Sequence, residues 1–138
     1  MATLKMRKSG RKKGILTVEA ALIFPFLLML TFGAIHYGWL FMRANQITDA
    51  ARRGVRVAIC PDATAADVAY TVANAMSSAG ISVYDMSSSG VGVSVGEEIT
   101  VRLTVLTANP EIGLVNIPLL PTPSHLRASV TMAKEGPP

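Results

Sequence analysis

The sequence predicts an α+β protein. A long N-terminal transmembrane helix extends into a small domain of one further helix and a three- to four-stranded antiparallel sheet. Three observations carry that expectation. From Ala20 to Met42 no side chain carries a fixed charge, and at about 1.5 Å per residue the run exceeds a hydrocarbon core of roughly 30 Å. Residues 43–59 then keep apolar side chains at helical spacing. Beyond Gly80 the period changes from 3.6 to 2, the pattern of half-buried strands.

At 138 residues the chain has room for one modest domain beside the membrane segment. Its net charge of +4 is unevenly spread. Lys5, Arg7, Lys8, Arg11, Lys12 and Lys13 precede Gly14 with no acid among them, which leaves the remainder seven basic residues against nine acids, a net of −2. The basic character therefore belongs to a leader, residues 1–14, and gives no support to a nucleic-acid surface on the folded part. Lys and Arg before a first apolar segment hold that flank in the cytoplasm, so 43–138 is expected to be exported. A cleavable secretory signal has a shorter apolar region followed by small residues. Here the long run is followed by Arg43, Ala44, Asn45 and Gln46, which favours an anchor.

Residues 1–13 read as a disordered leader, and a helical pattern begins at Ile15. Pro25 lies inside the expected 15–42 transmembrane helix, where it removes a backbone hydrogen bond and should kink the rod. Tyr37 and Trp39 suit the outer headgroup region. In the continuation over 43–59, Ile47, Ala51, Val55 and Ala58 form one stripe, and Arg43, Gln46, Asp49, Arg53 and Arg56 lie opposite. Asp49 and Arg53 have the i,i+4 spacing of an acid-to-base pair. Cys60 before Pro61 ends the helix.

A second helix is expected at 65–79, with Thr64 as N-cap, Asp67 completing a capping box and Gly80 closing the end. Its buried stripe is Val68, Val72, Met76 and Ala79. The sheet should occupy 81–135. Its strands are expected at Ile81–Tyr84, at Val91–Val95 after a loop at Ser87–Gly90, at Ile99–Leu106, and at Leu126–Met132. Residues 108–125 combine Pro110, Pro118, Pro121 and Pro123 with six large aliphatics. A segment of this kind either docks a partner or tucks its apolar groups into the core, and the second is the default.

Little here is built for catalysis. The two histidines are His36, in the apolar run, and His125, in the proline-rich loop. No Asp, Glu, His or Cys grouping has metal spacing, so no metal and no cofactor are expected. The glycine-rich Gly90–Gly96 lacks a following Lys-Ser/Thr and opens no helix, so it is a weak phosphate cradle. Cys60 is the only cysteine; it excludes an intrachain disulfide and leaves an interchain thiol open.

Glu19 is the informative residue. It either snorkels to the headgroups or serves a purpose inside a helical bundle. Were the chain cut after Gly14, Ile15 would present a free ammonium one helical turn from the Glu19 carboxylate. The two could then pair within or between chains and penalise wrong registers.

These residues resemble a known family. The basic leader, Gly14, four residues and then Glu19 before an apolar helix look like the class III signal of type IV prepilins. Val18-Glu19-Ala20-Ala21-Leu22-Ile23-Phe24-Pro25 and Ala50-Ala51-Arg52-Arg53-Gly54-Val55-Arg56 resemble the TadE-like family of tight-adherence (Flp) pilus proteins. The ending from Leu126 to Glu135 is similar to that family's final strand. The resemblance implies a non-enzymatic, pilin-like structural subunit, a minor pilin or pseudopilin, of the bacterial inner membrane with its C-terminal domain exported or incorporated in a surface pilus. Its implied partners are a prepilin peptidase cutting between Gly14 and Ile15, other pilins or pseudopilins, and the inner-membrane assembly platform. Glu19 would be the pilin-type glutamate. The family commonly has an aromatic after that glutamate, where this chain has Ala20. The alternative is an uncleaved, membrane-anchored extracytoplasmic binding or accessory module.

Overall fold

A computed structural model describes residues 10–113 and 121–136. They divide between Ile35 and His36 into two compact units, each described by itself. Helix α1, Gly10–Ala58, contributes to both and is 49 residues long, about 73 Å at the α-helical rise. The helix begins at Gly10, so the end of the basic leader is helical rather than irregular; residues 1–9 lie outside the described residues.

The first unit is the apolar part of α1. Its large side chains, among them Leu22, Phe26, Leu30 and Phe32, are exposed, Leu30 at 71%. A soluble protein's core helix would bury them, so this rod is apolar on a surface that only lipid or other helices can cover. It is long and apolar enough to cross a membrane. Pro25 lies within α1 without ending it, although its missing N–H leaves the Ala21 carbonyl without its usual donor.

The second unit begins with His36. It contains the rest of α1, then α2 (Ala65–Ser78), β1 (Asp85–Ser89), β2 (Glu98–Leu106) and β3 (His125–Ala133). The sheet has the order β1-β2-β3, with both pairs antiparallel. The expected α+β architecture is present, with three strands. On β2 the alternation is strict: Ile99, Val101, Leu103 and Val105 are buried, and the residues between them face outward. These four join Ile47, Ala51, Val55 and Ala58 of α1 and Val68, Val72 and Met76 of α2 in one core. The sequence periods thus select the correct faces of both helices.

Helix α2 is capped at both ends. The Thr64 hydroxyl accepts from the Asp67 backbone N–H, and the Asp67 carboxylate accepts from the Thr64 N–H at 3.0 Å, a reciprocal box that satisfies two orphan donors. At the other end Gly80 N–H donates to Ser77 O and Ile81 N–H to Met76 O, both at 2.9 Å. This is a Schellman closure, and its left-handed position is Gly80 at φ +70°.

That closure explains one departure from the expected strands. Ile81–Tyr84 is not a strand, because the Ile81 N–H is committed to the end of α2 and the Ser82 N–H to the Glu111 carboxylate. The first strand lies at Asp85–Ser89 instead, partly where the sequence suggested a loop, and Ser87 pairs with Arg102 of β2. Nor is Val91–Val95 a strand. Gly90, Gly92 and Gly96 have φ of +83°, +90° and +88°, so the backbone turns repeatedly, and Val93 N–H closes onto Gly90 O. Smaller differences follow the same local logic. α1 ends at Ala58, α2 at Ser78, and His125 opens β3 rather than lying in the preceding loop.

Candidate functional site

The residues singled out for processing and assembly lie along the first unit. Gly14 is helical and exposed, with open space where a Cβ would be. The backbone of Ile15 is helical too, so the Gly14–Ile15 peptide bond sits inside α1. Glu19 is exposed on the rod. It is the only acidic residue between Gly14 and Met42, and it has no hydrogen-bond or ion-pair partner among the described residues. A carboxylate on a lipid-facing helix costs about 2–3 kcal/mol near the bilayer centre and less toward the interface.

The next turns of α1, in the second unit, behave differently from expectation. Tyr37 and Trp39 read in the sequence as headgroup anchors, yet both bind the long β2–β3 connection. The Trp39 indole N–H donates to Ile112 O at 2.9 Å, and the Tyr37 hydroxyl to Pro121 O at 2.6 Å. Leu40 is buried, and Arg43 stacks its guanidinium over the Trp39 ring at 4.9 Å. Arg43 also donates to Gln46 and to the Ala79 carbonyl at the end of α2, where a cation meets the negative pole of the helix. Phe41 and Met42 stay exposed beside the buried His36 and Leu40, so exposed apolar side chains continue to Met42.

The connection is closed at its base by Thr107 N–H to Ser124 O. Ile112 is fully buried in the core, as the tucked-in reading of 108–125 expects; Leu114, Val115, Ile117, Pro118, Leu119 and Leu120 lie outside the described residues. Glu111 clamps this stretch to the start of the sheet. Its carboxylate accepts from the backbone N–H and hydroxyl of Ser82 and from the Asn109 amide. The Ser82 hydroxyl and then its N–H hold the Glu111 carboxyl below the ordinary carboxylate range. The Thr64 hydroxyl and N–H lower Asp67 likewise.

Gly54 is the residue that sequence reasoning undervalued. A Cβ there would lie 2.5 Å from Val72 Cγ2 and 3.5 Å from Val101 Cγ1. The Ala50-Ala51-Arg52-Arg53-Gly54 run is therefore a close-approach surface, with Ala50, Ala51 and Gly54 buried and Arg52, Arg53 and Arg56 exposed. Its signal was the recurrence of small residues on the apolar stripe. The ion pair on this helix joins Asp49 to Arg52 at 3.4 Å, not to Arg53; both partners are well exposed and the pair contributes little.

Cys60 is a free, exposed thiol just past α1, with its Sγ 3.5 Å from Arg56 O. No group of three potential metal ligands lies together among the described residues.

A family model described as TadE-like protein matches residues 14–56. The match covers Gly14, Ile15, Glu19, Pro25 and the arginine–glycine run, and it does not extend to 126–135. No curated protein and no solved structure matches the chain. TadE-like proteins are structural and pilus-associated, and an apolar N-terminal helix fits a single-pass anchor in such a protein.

Proposed function

Proceeding from a TadE-like segment at residues 14–56, we propose that this protein is a pilin-like structural subunit, a minor pilin or pseudopilin, supporting assembly of a tight-adherence pilus or a related secretion apparatus. It sits in the bacterial inner membrane with its N-terminus cytoplasmic and residues 43–138 exported. The observation that carries this reading is the Glu19 carboxylate, without a partner among the described residues, on an exposed apolar helix directly behind a basic leader. A plain anchor has no use for that acid. A bundle of such helices does, because each Glu19 can meet an ammonium on its own or a neighbouring chain.

A membrane-embedded prepilin peptidase supplies the ammonium by cutting between Gly14 and Ile15. Proteases act on extended chain, so the first turns of α1 must open for the cut. Gly10 and Gly14 favour that opening, since each glycine weakens a helix by about 1 kcal/mol relative to alanine. After cleavage the α-amine of Ile15 and the carboxylate of Glu19 stand one turn apart.

The second reading, an uncleaved anchored accessory module, draws its support from the helical placement of that same bond. Intact-mass measurement of the protein purified from its native membrane separates the two. Loss of the mass of residues 1–14 supports the pilin-like subunit. A chain retaining Met1–Gly14, in cells whose other prepilins are processed, selects the accessory module.

A further inference from the structure

The sheet has two edges, and the register of its strands fixes what each one offers. Just beyond the two ends of the β2–β3 pair, Thr107 N–H bonds to Ser124 O and Lys134 N–H to Glu97 O. Bonded and non-bonded pairs alternate in an antiparallel ladder, so Val105–Leu126, Leu103–Ala128, Val101–Val130 and Ile99–Met132 are the bonded pairs. The N–H and C=O groups of His125, Arg127, Ser129, Thr131 and Ala133 therefore point away from β2. On β1 the same alternation turns those of Met86 and Ser88 outward. Among the described residues no hydrogen bond closes either edge. An open edge is a template for another strand, and proteins often blunt one with a proline, a bulge or an inward charge. β3 has none of these, and it pairs with β2 through all nine residues without interruption. Its inward-facing Leu126, Val130 and Met132 are only half-buried, whereas their β2 neighbours are fully buried.

The two edges suit each other. β1 and β3 both run antiparallel to β2, so β1 of a second copy set beside β3 without inversion lies parallel to it. Copies whose rods cross one membrane in the same direction meet in that sense. We propose that β3 accepts β1 of a second copy of this chain, which joins neighbouring sheets into one. Charge selects the register. Arg127 and Asp85 are exposed, and neither has an ion-pair partner among the described residues. Setting Arg127 beside Asp85 of the next copy brings opposite charges together, which stabilises a cross-strand pair. The same register places Ser129 beside Ser87 and lays Ala128 and Val130 against Met86 and Ser88. The Ser129 N–H then donates to Met86 O, and the Ser88 N–H to Ser129 O. A pairing over the five residues of β1 is weak by itself. Rods held in one bilayer raise the effective concentration of the partner edge, so the inference rests on the pilin-like reading.

Disulfide cross-linking of the full chain in membranes of its native host reads the contact. Cys60→Ser removes the only native thiol, and diamide is the oxidant. Within one chain Asp85 and Arg127 flank Thr104 on opposite sides, about 10 Å apart at two strand spacings. A disulfide needs Cα atoms within about 7 Å, so any bond between those positions joins two copies. Asp85→Cys and Arg127→Cys on separate, co-expressed chains should give a covalent dimer, and both on one chain a ladder. Ser87→Cys with Ser129→Cys should do the same. With that second pair as reporter, Asp85→Arg should cut the cross-linked yield about fivefold, and adding Arg127→Asp should restore it. No dimer from either pair, with Trp39 near-ultraviolet dichroism intact, overturns the proposal. A dimer from Ser129→Cys alone also overturns it, because that marks symmetric β3–β3 pairing. The mass of the uncross-linked chain from the same membranes keeps the two readings apart. Loss of residues 1–14 without cross-links sinks this inference alone, whereas retention of Met1–Gly14 counts against the pilin-like subunit.

Discussion

Gly54 and Val72 meet so closely that a single added methyl would lie 2.5 Å from the valine Cγ2. The contact joins the extension of α1 to α2 beneath the sheet, with Val101 of β2 completing the site. Gly54→Ala would gain about 1 kcal/mol of helix propensity. Val72 is β-branched and buried, so it cannot swing aside, and overpacking costs about 1–3 kcal/mol. The clash should win. Gly54→Ala is expected to lower stability by up to about 2 kcal/mol, read as a lower denaturation midpoint in detergent; a midpoint above wild type would show that α2 shifts freely.

Trp39 is the only tryptophan, and its indole is bonded to Ile112 O across 73 residues of chain. Its fluorescence therefore reports docking of the β2–β3 connection. Trp39→Phe keeps most of the apolar area and loses the hydrogen bond and much of the Arg43 stacking, a loss of about 1–2 kcal/mol. Faster amide exchange at Ile112 and Gly113, whose N–H groups bond to Asn109 O, is the expected outcome, with β2 and β3 unchanged. Uniformly faster exchange would mean that the connection and the sheet open together.

Acid should loosen the folded unit at two hydrogen-bonded carboxylates. Asp67 and Glu111 both have lowered carboxyl pKa values, caused by hydrogen bonds from Thr64 and Ser82. A depressed folded-state value means that their stabilisation is present above the ordinary carboxylate range, about pH 4, and is lost as pH falls through the lower folded values. Glu111→Gln should flatten the loss of stability below pH 4 and release Ser82. Thr64→Ala should remove the Asp67 contribution and cost about 1 kcal/mol at neutral pH. An unchanged acid transition in both variants would assign the pH dependence to other carboxylates.

Glu19→Ala removes the one acid of the apolar rod. Insertion depends on hydrophobicity and should be unaffected or improved, whereas assembly should fail for want of the charge that sets register. Membrane fractionation together with pilus imaging checks both halves. Normal pili built by the variant would remove Glu19 from the mechanism.

The amino-acid sequence by itself determined the apolar rod with its lone acid, the buried stripes of α1 and α2, the Thr64–Asp67 cap and the inward faces of β2 and β3. All of these are periodic or local: a side chain's face follows from its spacing, and a cap from residues three apart. Only the tertiary structure decided that the serine-rich Asp85–Ser89 would pair with β2 while Ile81–Tyr84 would not. Backbone donors go wherever acceptors are offered, and Met76 O and Glu111 claimed those of Ile81 and Ser82 first. The same holds for Tyr37 and Trp39, whose partners lie 84 and 73 residues away, and for Gly54, whose need to be glycine arises from the approach of Val72. Spacing along the chain records which way a residue faces; what it meets there depends on how distant segments pack.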